Sequence, residues 1–354
     1  MLTPQPRIVK SVHRLENLHV LRAVAAISVV LVHLESVLVR IGLPPAGNGG
    51  VDIFFVISGF IMVYICTTPS VSPGSFMKNR ITRIVPLYWA VTFFVFFAAA
   101  ATKNVFRNTT AGPLQLLMSL FFIPFQKAAV GAPQPIVFVG WTLNYEMFFY
   151  CLFAFGLALP NRRLAIAGVA VAMVILVVLG ATFTPSATIP AFYTNPMILE
   201  FVCGMLIGLA FPHLQKHAPA ILIGPTVAAT LVALGMLLHP LNPAGEHVLV
   251  YGVPATVLVL SSVLLDIWKV QVRSAAGRML GDASYSIYLT HAFIAIGFQR
   301  LAVQFQVTPF GAVALLVVAI AAILAVGIVT HRKVELPLIR WSRSLWKLPL
   351  AANA

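Results

Sequence analysis

PLQLLMSLFFIPF, residues 113–125, is an apolar run of 13 residues that opens on one proline and meets a second at position 124. A helix perpendicular to a bilayer needs about 20 residues to cross its hydrocarbon core. This run is therefore expected to re-enter the membrane or to lie in its interface. The choice sets the architecture, because a crossing here would move every later loop to the opposite side.

The rest of the chain shows why a membrane is in question. Of 354 residues, 60% are hydrophobic and 9% charged, with a mean hydropathy of +0.96. Soluble domains carry about 25% charged residues, so this chain lacks the polar surface to face water. Apolar runs recur at about 18–38, 50–65, 84–101, 141–159, 164–183, 197–211, 219–238, 248–266, 283–303 and 309–330. They are long, unbroken and free of period-two alternation. They read as helices, which satisfy their own backbone amides in lipid. The expected fold is all-α: a polytopic membrane helical bundle of about ten transmembrane helices, with residues 1–354 as one domain. The first run is too long and too charged for a cleaved signal peptide.

Basic residues orient this bundle. Ten crossings place both termini on one side, including an N-terminal segment 1–16 and a basic tail 331–354. Loops 66–83, 160–163, 212–218 and 267–282 fall on the same side. That side holds 18 of the 23 lysines and arginines, and the other side five. Such asymmetry marks cytoplasmic loops. Both termini are thus expected in the cytoplasm, and the chain in the inner or plasma membrane. The net charge of +14 points to anionic lipid headgroups as partners, not to nucleic acid, because it sits in short clusters between apolar runs. Cys66, Cys151 and Cys203 lie in or beside apolar runs without metal-ligand spacing; they read as core packing, and no metal is expected.

The first run, LHVLRAVAAISVVLVHLESVLVR (18–40), carries an arginine and a histidine that the rest of its composition does not explain. A central charge costs roughly 2.5–3.5 kcal/mol on insertion scales. Arg22 and His33 are eleven residues apart, an offset of only about 20° around a helix and ~16 Å along it. Singly, each has a plainer reading, as a snorkelling cation and as a packing hydrogen bond. Together on one face they fit a polar cavity leading from the cytoplasmic end toward the outer leaflet. Glu35 lies about 200° around from His33 and does not pair with it.

The motifs then become specific. Arg22-x10-His33 resembles the signature of the acyltransferase 3 family, integral membrane enzymes that O-acylate sugars. GVDIFFVISGFIM (50–62) is similar to the family's second-helix motif, and Arg80 and Arg83 in FMKNRITRIVPLYW to its Arg-x-x-Arg loop. WTLNYEMFFY (141–150) resembles its Trp-Ser-Leu-Ser-x-Glu segment, with Thr142, Asn144 and Tyr145 replacing commoner small residues. GDASYSIYLTH (281–291) resembles its late Ser-Tyr-Ser-x-Tyr-x-x-His motif, and VELPLIR its Val-Glu-x-Pro close. These stretches occur in family order, and the chain is similar to the single-domain, exopolysaccharide-acetylating type.

The resemblance implies an O-acetyltransferase moving an acyl group from cytoplasmic acetyl-CoA to a hydroxyl of an exported polysaccharide or its lipid-linked precursor. Arg22, Arg80 and Arg83 are expected to meet the phosphates of the acyl-CoA, for which guanidinium geometry is suited. Tyr288 and His291, three residues apart, are expected to contact the same donor. His33 is the expected general base, since imidazole titrates near neutral pH. Glu146 is the second catalytic candidate, orienting His33 or the acceptor hydroxyl, with Arg22 contributing to catalysis from the donor side. Transfer is expected to be direct, since Ser58 is not in a G-x-S-x-G setting. Asp52 reads as a helix cap, Glu200 as structural, and Asn108-Thr109-Thr110 as a sequon in an outer loop. The alternative is a proton-coupled transporter or flippase of glycan precursors, with Arg22, His33 and Glu146 lining its path.

Overall fold

The computed structural model describes residues 15–66, 71–101, 112–127, 131–238, 246–346 and 348. Asn108 and its sequon, residues 1–14 of the N-terminal segment and the end of the tail lie outside them. The chain runs through α1 (Glu16–Val32), α2 (Glu35–Arg40), α3 (Gly50–Cys66), α4 (Pro73–Ala101), α5 (Pro113–Leu120) and α6 (Trp141–Gly156). It continues through α7 (Arg162–Phe183), α8 (Thr188–Tyr193), α9 (Leu199–His217), α10 (Ile223–Leu238) and α11 (Val253–Ile267). It closes with α12 (Ala275–Asp282), α13 (Ser284–Gln304), α14 (Pro309–Thr330) and α15 (Leu336–Leu345). Among the described residues the only sheet is a two-stranded antiparallel pair, β1 (Gln126–Lys127) and β2 (Ala132–Pro133).

The chain is an all-α membrane bundle. Seven helices of the described residues are long and apolar enough to cross a bilayer: those of α4, α7, α9, α10, α11, α13 and α14. The expected spans at 18–38, 50–65 and 141–159 are α1, α3 and α6, of 17, 17 and 16 residues. The deciding run forms α5, eight residues and about 12 Å long, after which the chain turns. Three loops of the sequence reading are corrected. Arg80 and Arg83 belong to α4, which starts at Pro73. The 267–282 loop contains the amphipathic α12. The tail continues α14 through a π-helical turn, His331–Glu335, into α15.

Local chemistry explains the ends of these helices. The residue before α1, Leu15, offers no side-chain cap. Asp266 at the end of α11 supplies one from 249 positions away: its carboxylate accepts from the Asn17 amide at 3.0 Å and the Leu18 amide at 3.4 Å. An anion there satisfies orphan donors and complements the helix dipole. The Asn17 side chain returns the favour to the next turn, donating to the Val270 carbonyl and accepting from the Val272 amide. Asn161 caps α7 by accepting from the amides of Arg163 and Leu164.

Helices α3 and α9 pack backbone to backbone. A Cβ on Gly59 would lie 2.0 Å from the Phe201 carbonyl oxygen, and one on Gly204 2.0 Å from that of Val56. Lipid provides no hydrophobic drive for helix pairing, so close packing at small residues carries it. Of the cysteines, only Cys66 is buried; Cys151 is exposed and Cys203 intermediate, and all are free. Core packing therefore describes one of the three.

This packing yields a stability test. Gly204→Val forces a side chain into the α3 backbone and should cost roughly 1–3 kcal/mol, seen as a lower thermal midpoint in detergent. Gly168→Ala inside α7, whose Cβ would meet nothing within 4 Å, should not lower that midpoint and should raise it slightly through helix propensity.

Candidate functional site

Two neighbouring cavities formed by the described residues share a wall. The first, about 90 Å³, collects Arg22 of α1, Ser58 of α3, Arg80 and Arg83 of α4, Glu146 and Tyr150 of α6, and Ser284 of α13. The second is larger, about 390 Å³, and is lined by His33, Asn48, Trp141, His247 and Tyr251. Val51 and Tyr288 line both. Thus the one polar cavity expected along α1 is two chambers, with Arg22 in one and His33 in the other.

In the arginine chamber, three guanidinium groups face one carboxylate. The Arg22 Nη2 donates to Ser284 Oγ at 3.1 Å. Arg80 is held by ring faces, its guanidinium carbon 5.9 Å from the centres of both Phe76 and Tyr150. Its buried Nε has no hydrogen-bond partner among the described residues. Glu146 accepts from Ser58 Oγ at 3.1 Å and from the Tyr150 hydroxyl. The excess of positive charge over negative in this chamber attracts anions.

In the histidine chamber the hydrogen bonds assign the tautomers. His291 Nδ1 lies 2.6 Å from the Tyr288 carbonyl oxygen, so it carries the proton and leaves Nε2 as an acceptor. That Nε2 is 3.2 Å from His33 Nδ1, which is also 3.0 Å from the Val29 carbonyl oxygen. Both neighbours of His33 Nδ1 are acceptors, so Nδ1 is protonated and Nε2 holds the free lone pair. The Phe138 ring packs at 5.4 Å from the His33 ring and His291 edge-on at 4.8 Å. Gln299 donates to the His33 carbonyl oxygen, which fixes the end of α1.

The dividing wall is itself hydrogen-bonded. Tyr288 donates its hydroxyl proton to the Val139 carbonyl oxygen at 2.7 Å, and the Thr142 hydroxyl lies 2.6 Å from the phenol oxygen and 3.3 Å from the same carbonyl.

The structure brings Arg22, Arg80 and Arg83 into one chamber and places Glu146 with them, not with His33. It puts His291 against His33 instead of in the arginine chamber, and Tyr288 between the chambers. Among the described residues Glu146 makes no contact with His33; the partner that orients His33 is His291. Asp52 is not a helix cap, for no backbone amide of the described residues meets its carboxylate, and Oδ1 lies 2.8 Å from His247 Nε2. Sequence reasoning missed His247 and the meeting of Asp52 with Glu200. It also missed the tie between two late motifs, in which Glu335 accepts from Ser286 Oγ at 2.6 Å.

The family model described as acyltransferase domain matches residues 15–332. The chain is 36% identical over 300 residues to the exopolysaccharide production protein ExoZ of Rhizobium meliloti (strain 1021), covering 84% of this chain and 91% of that protein. It is 27% identical over 180 residues to protein 2 in the picA locus of Rhizobium radiobacter, covering 46% of this chain and 93% of that one. No solved structure matches the chain.

Tyr288→Phe tests the wall. It removes the phenol hydroxyl shared by the buried Val139 carbonyl and Thr142 hydroxyl and leaves them only their own 3.3 Å hydrogen bond, which should cost about 0.5–1.5 kcal/mol. A lowered thermal midpoint, with Tyr193→Phe as the peripheral control, measures it.

Proposed function

The chain belongs to the acyltransferase domain family, and on that premise we propose that it is an O-acetyltransferase acting on an exported polysaccharide or its lipid-linked precursor. One observation carries this reading: an arginine-lined chamber and a chamber holding a histidine with a free ring nitrogen meet at Tyr288. The first suits a phosphate-bearing donor such as acetyl-CoA, and the second a neutral hydroxyl acceptor. The relative's printed role in exopolysaccharide production supports a glycan as that acceptor. The 18-to-5 division of basic residues supports a cytoplasmic arginine chamber and a histidine chamber toward the outer face.

In this reading acetyl-CoA presents its thioester to the wall from the arginine side. The acceptor hydroxyl oxygen attacks the thioester carbonyl carbon while His33 Nε2 takes its proton. The new C–O bond forms, the C–S bond breaks, and the thiolate leaves to regain a proton. His291 holds the His33 ring through Nδ1, so the lone pair at Nε2 keeps its direction. Glu146 organises the donor chamber and does not touch the base.

Two experiments test the assignment. The double replacement of Arg80 and Arg83 by alanine should weaken acetyl-CoA binding in nanodiscs by roughly 10- to 150-fold for each charge-assisted hydrogen bond removed. Unchanged affinity would sink the donor site. In a radiolabelled acetyl transfer assay on exopolysaccharide, His33→Ala should lower the rate by about 10²–10⁴ with acetyl-CoA affinity preserved. The wild-type rate should also fall on the acid side, because a protonated imidazole accepts nothing. His291→Gln, whose amide oxygen can still accept from His33 Nδ1–H, should retain more activity than His291→Ala. No movement of label to glycan would favour the flippase reading.

A further inference from the structure

Beside the histidine chamber lies a cluster that the proposed reaction does not use. Asp52 of α3 and Glu200 of α9 are both fully buried, at 0% exposure. His247, just before the π-helical turn Val248–Gly252 that leads into α11, is 44% exposed. One ligand-type atom from each lies within 4.8 Å of the others. Asp52 Oδ1 is 2.8 Å from His247 Nε2. Apart from each other, the Glu200 oxygens and Asp52 Oδ2 have no hydrogen-bond partner among the described residues. Nor does a described lysine or arginine pair with either carboxylate.

Two desolvated carboxylates side by side need compensating positive charge. The single imidazole balances at most one of them, and the three arginines line the other chamber. We propose that Asp52, Glu200 and His247 bind one divalent transition cation, zinc being the representative, at the wall of the histidine chamber. The donor set is two carboxylate oxygens and an imidazole nitrogen. Imidazole selects transition cations over calcium and magnesium, and such mixed sets are zinc ligands. Three protein ligands leave a coordination position, and His247 brings the site to the chamber that it lines. The backbone accommodates the carboxylate, since a Cβ on Gly252 would stand 3.0 Å from Glu200 Oε1. A π-helical turn at this point is a common mark of a functional site. The cation would also tie α3, α9 and the start of α11 together. This assignment reverses the sequence expectation of no metal, which considered cysteine spacing alone.

The test needs no catalytic assay. Full-length protein without a polyhistidine tag is purified in detergent, stripped with EDTA, dialysed against zinc or calcium and measured by elemental analysis and thermal melting. The wild type should hold one zinc per chain, melt higher with zinc than without, and retain no calcium. Asp52→Asn with Glu200→Gln should lose both the zinc and the zinc-dependent rise. His247→Ala changes a half-exposed side chain and serves as the variant that folds; it should lose the zinc as well. A wild type that takes up no zinc, or prefers calcium, overturns the proposal, as does full zinc retention in either variant. Zinc-free wild type would leave a shared proton to balance the two acids.

Discussion

The guanidinium of Arg22 stands among apolar neighbours in α1, and it does not give up its charge. Lipid supplies no partner for it, so other helices must. Four of them answer: Ser284 on α13 binds it directly, while Ser58 on α3, the arginines of α4 and Glu146 on α6 close the chamber around it. The same constraint operates elsewhere in the interior. Asp266 caps α1 from across the sequence, and Glu335 receives Ser286 and His331. Tertiary hydrogen bonds of this kind fix which helix lies beside which, where apolar packing alone would tolerate sliding.

Helices α1 and α13 form the frame of the two chambers. Arg22 meets Ser284 and, further along both helices, His33 meets His291. The two contacts come in the same order, so the helices run in the same direction. Parallel helices require an odd number of crossings between them. Seven apolar helices intervene if α5 does not cross, namely α3, α4, α6, α7, α9, α10 and α11. The pairing of two histidines thus agrees with the shortness of one eight-residue helix, although the two observations concern different parts of the molecule.

Much of this was legible in the sequence for identifiable reasons. Long apolar runs must be helices in lipid, and the Arg22–His33 interval declared a common face. Motif resemblance grouped Arg80 and Arg83 with Arg22, but it put Glu146 with His33 or the acceptor hydroxyl. What escaped was pairing across helices. His291 read as a donor contact because its motif sits beside Tyr288, three residues away on the same helix. Its ring in fact reaches past that face to His33, 258 positions distant. The start of α4 escaped too, because Lys78, Arg80 and Arg83 depress the apolar signal while leaving the helix intact. Charged side chains that line a chamber look, along the sequence, like a loop.

The acid–histidine cluster shows how such pairings become readable. Position alone made Asp52 a cap and Glu200 structural, since each was considered within its own helix. The span count holds more information. Asp52 opens the second apolar run, Glu200 the sixth and His247 borders the eighth. Even-numbered runs in a serpentine bundle all begin on the same side, so a ten-run reading of the sequence assigns these three residues to one membrane level before any coordinate is known. Two acids and a histidine at one level, in a chain with only nine acids, are a coincidence that burial makes expensive unless they meet. In the folded chain they do meet, through the contact of α3 with α9 at Gly59 and Gly204. The glycines that let those backbones touch are therefore part of the cluster's construction, because a wider separation would hold the carboxylates of Asp52 and Glu200 apart.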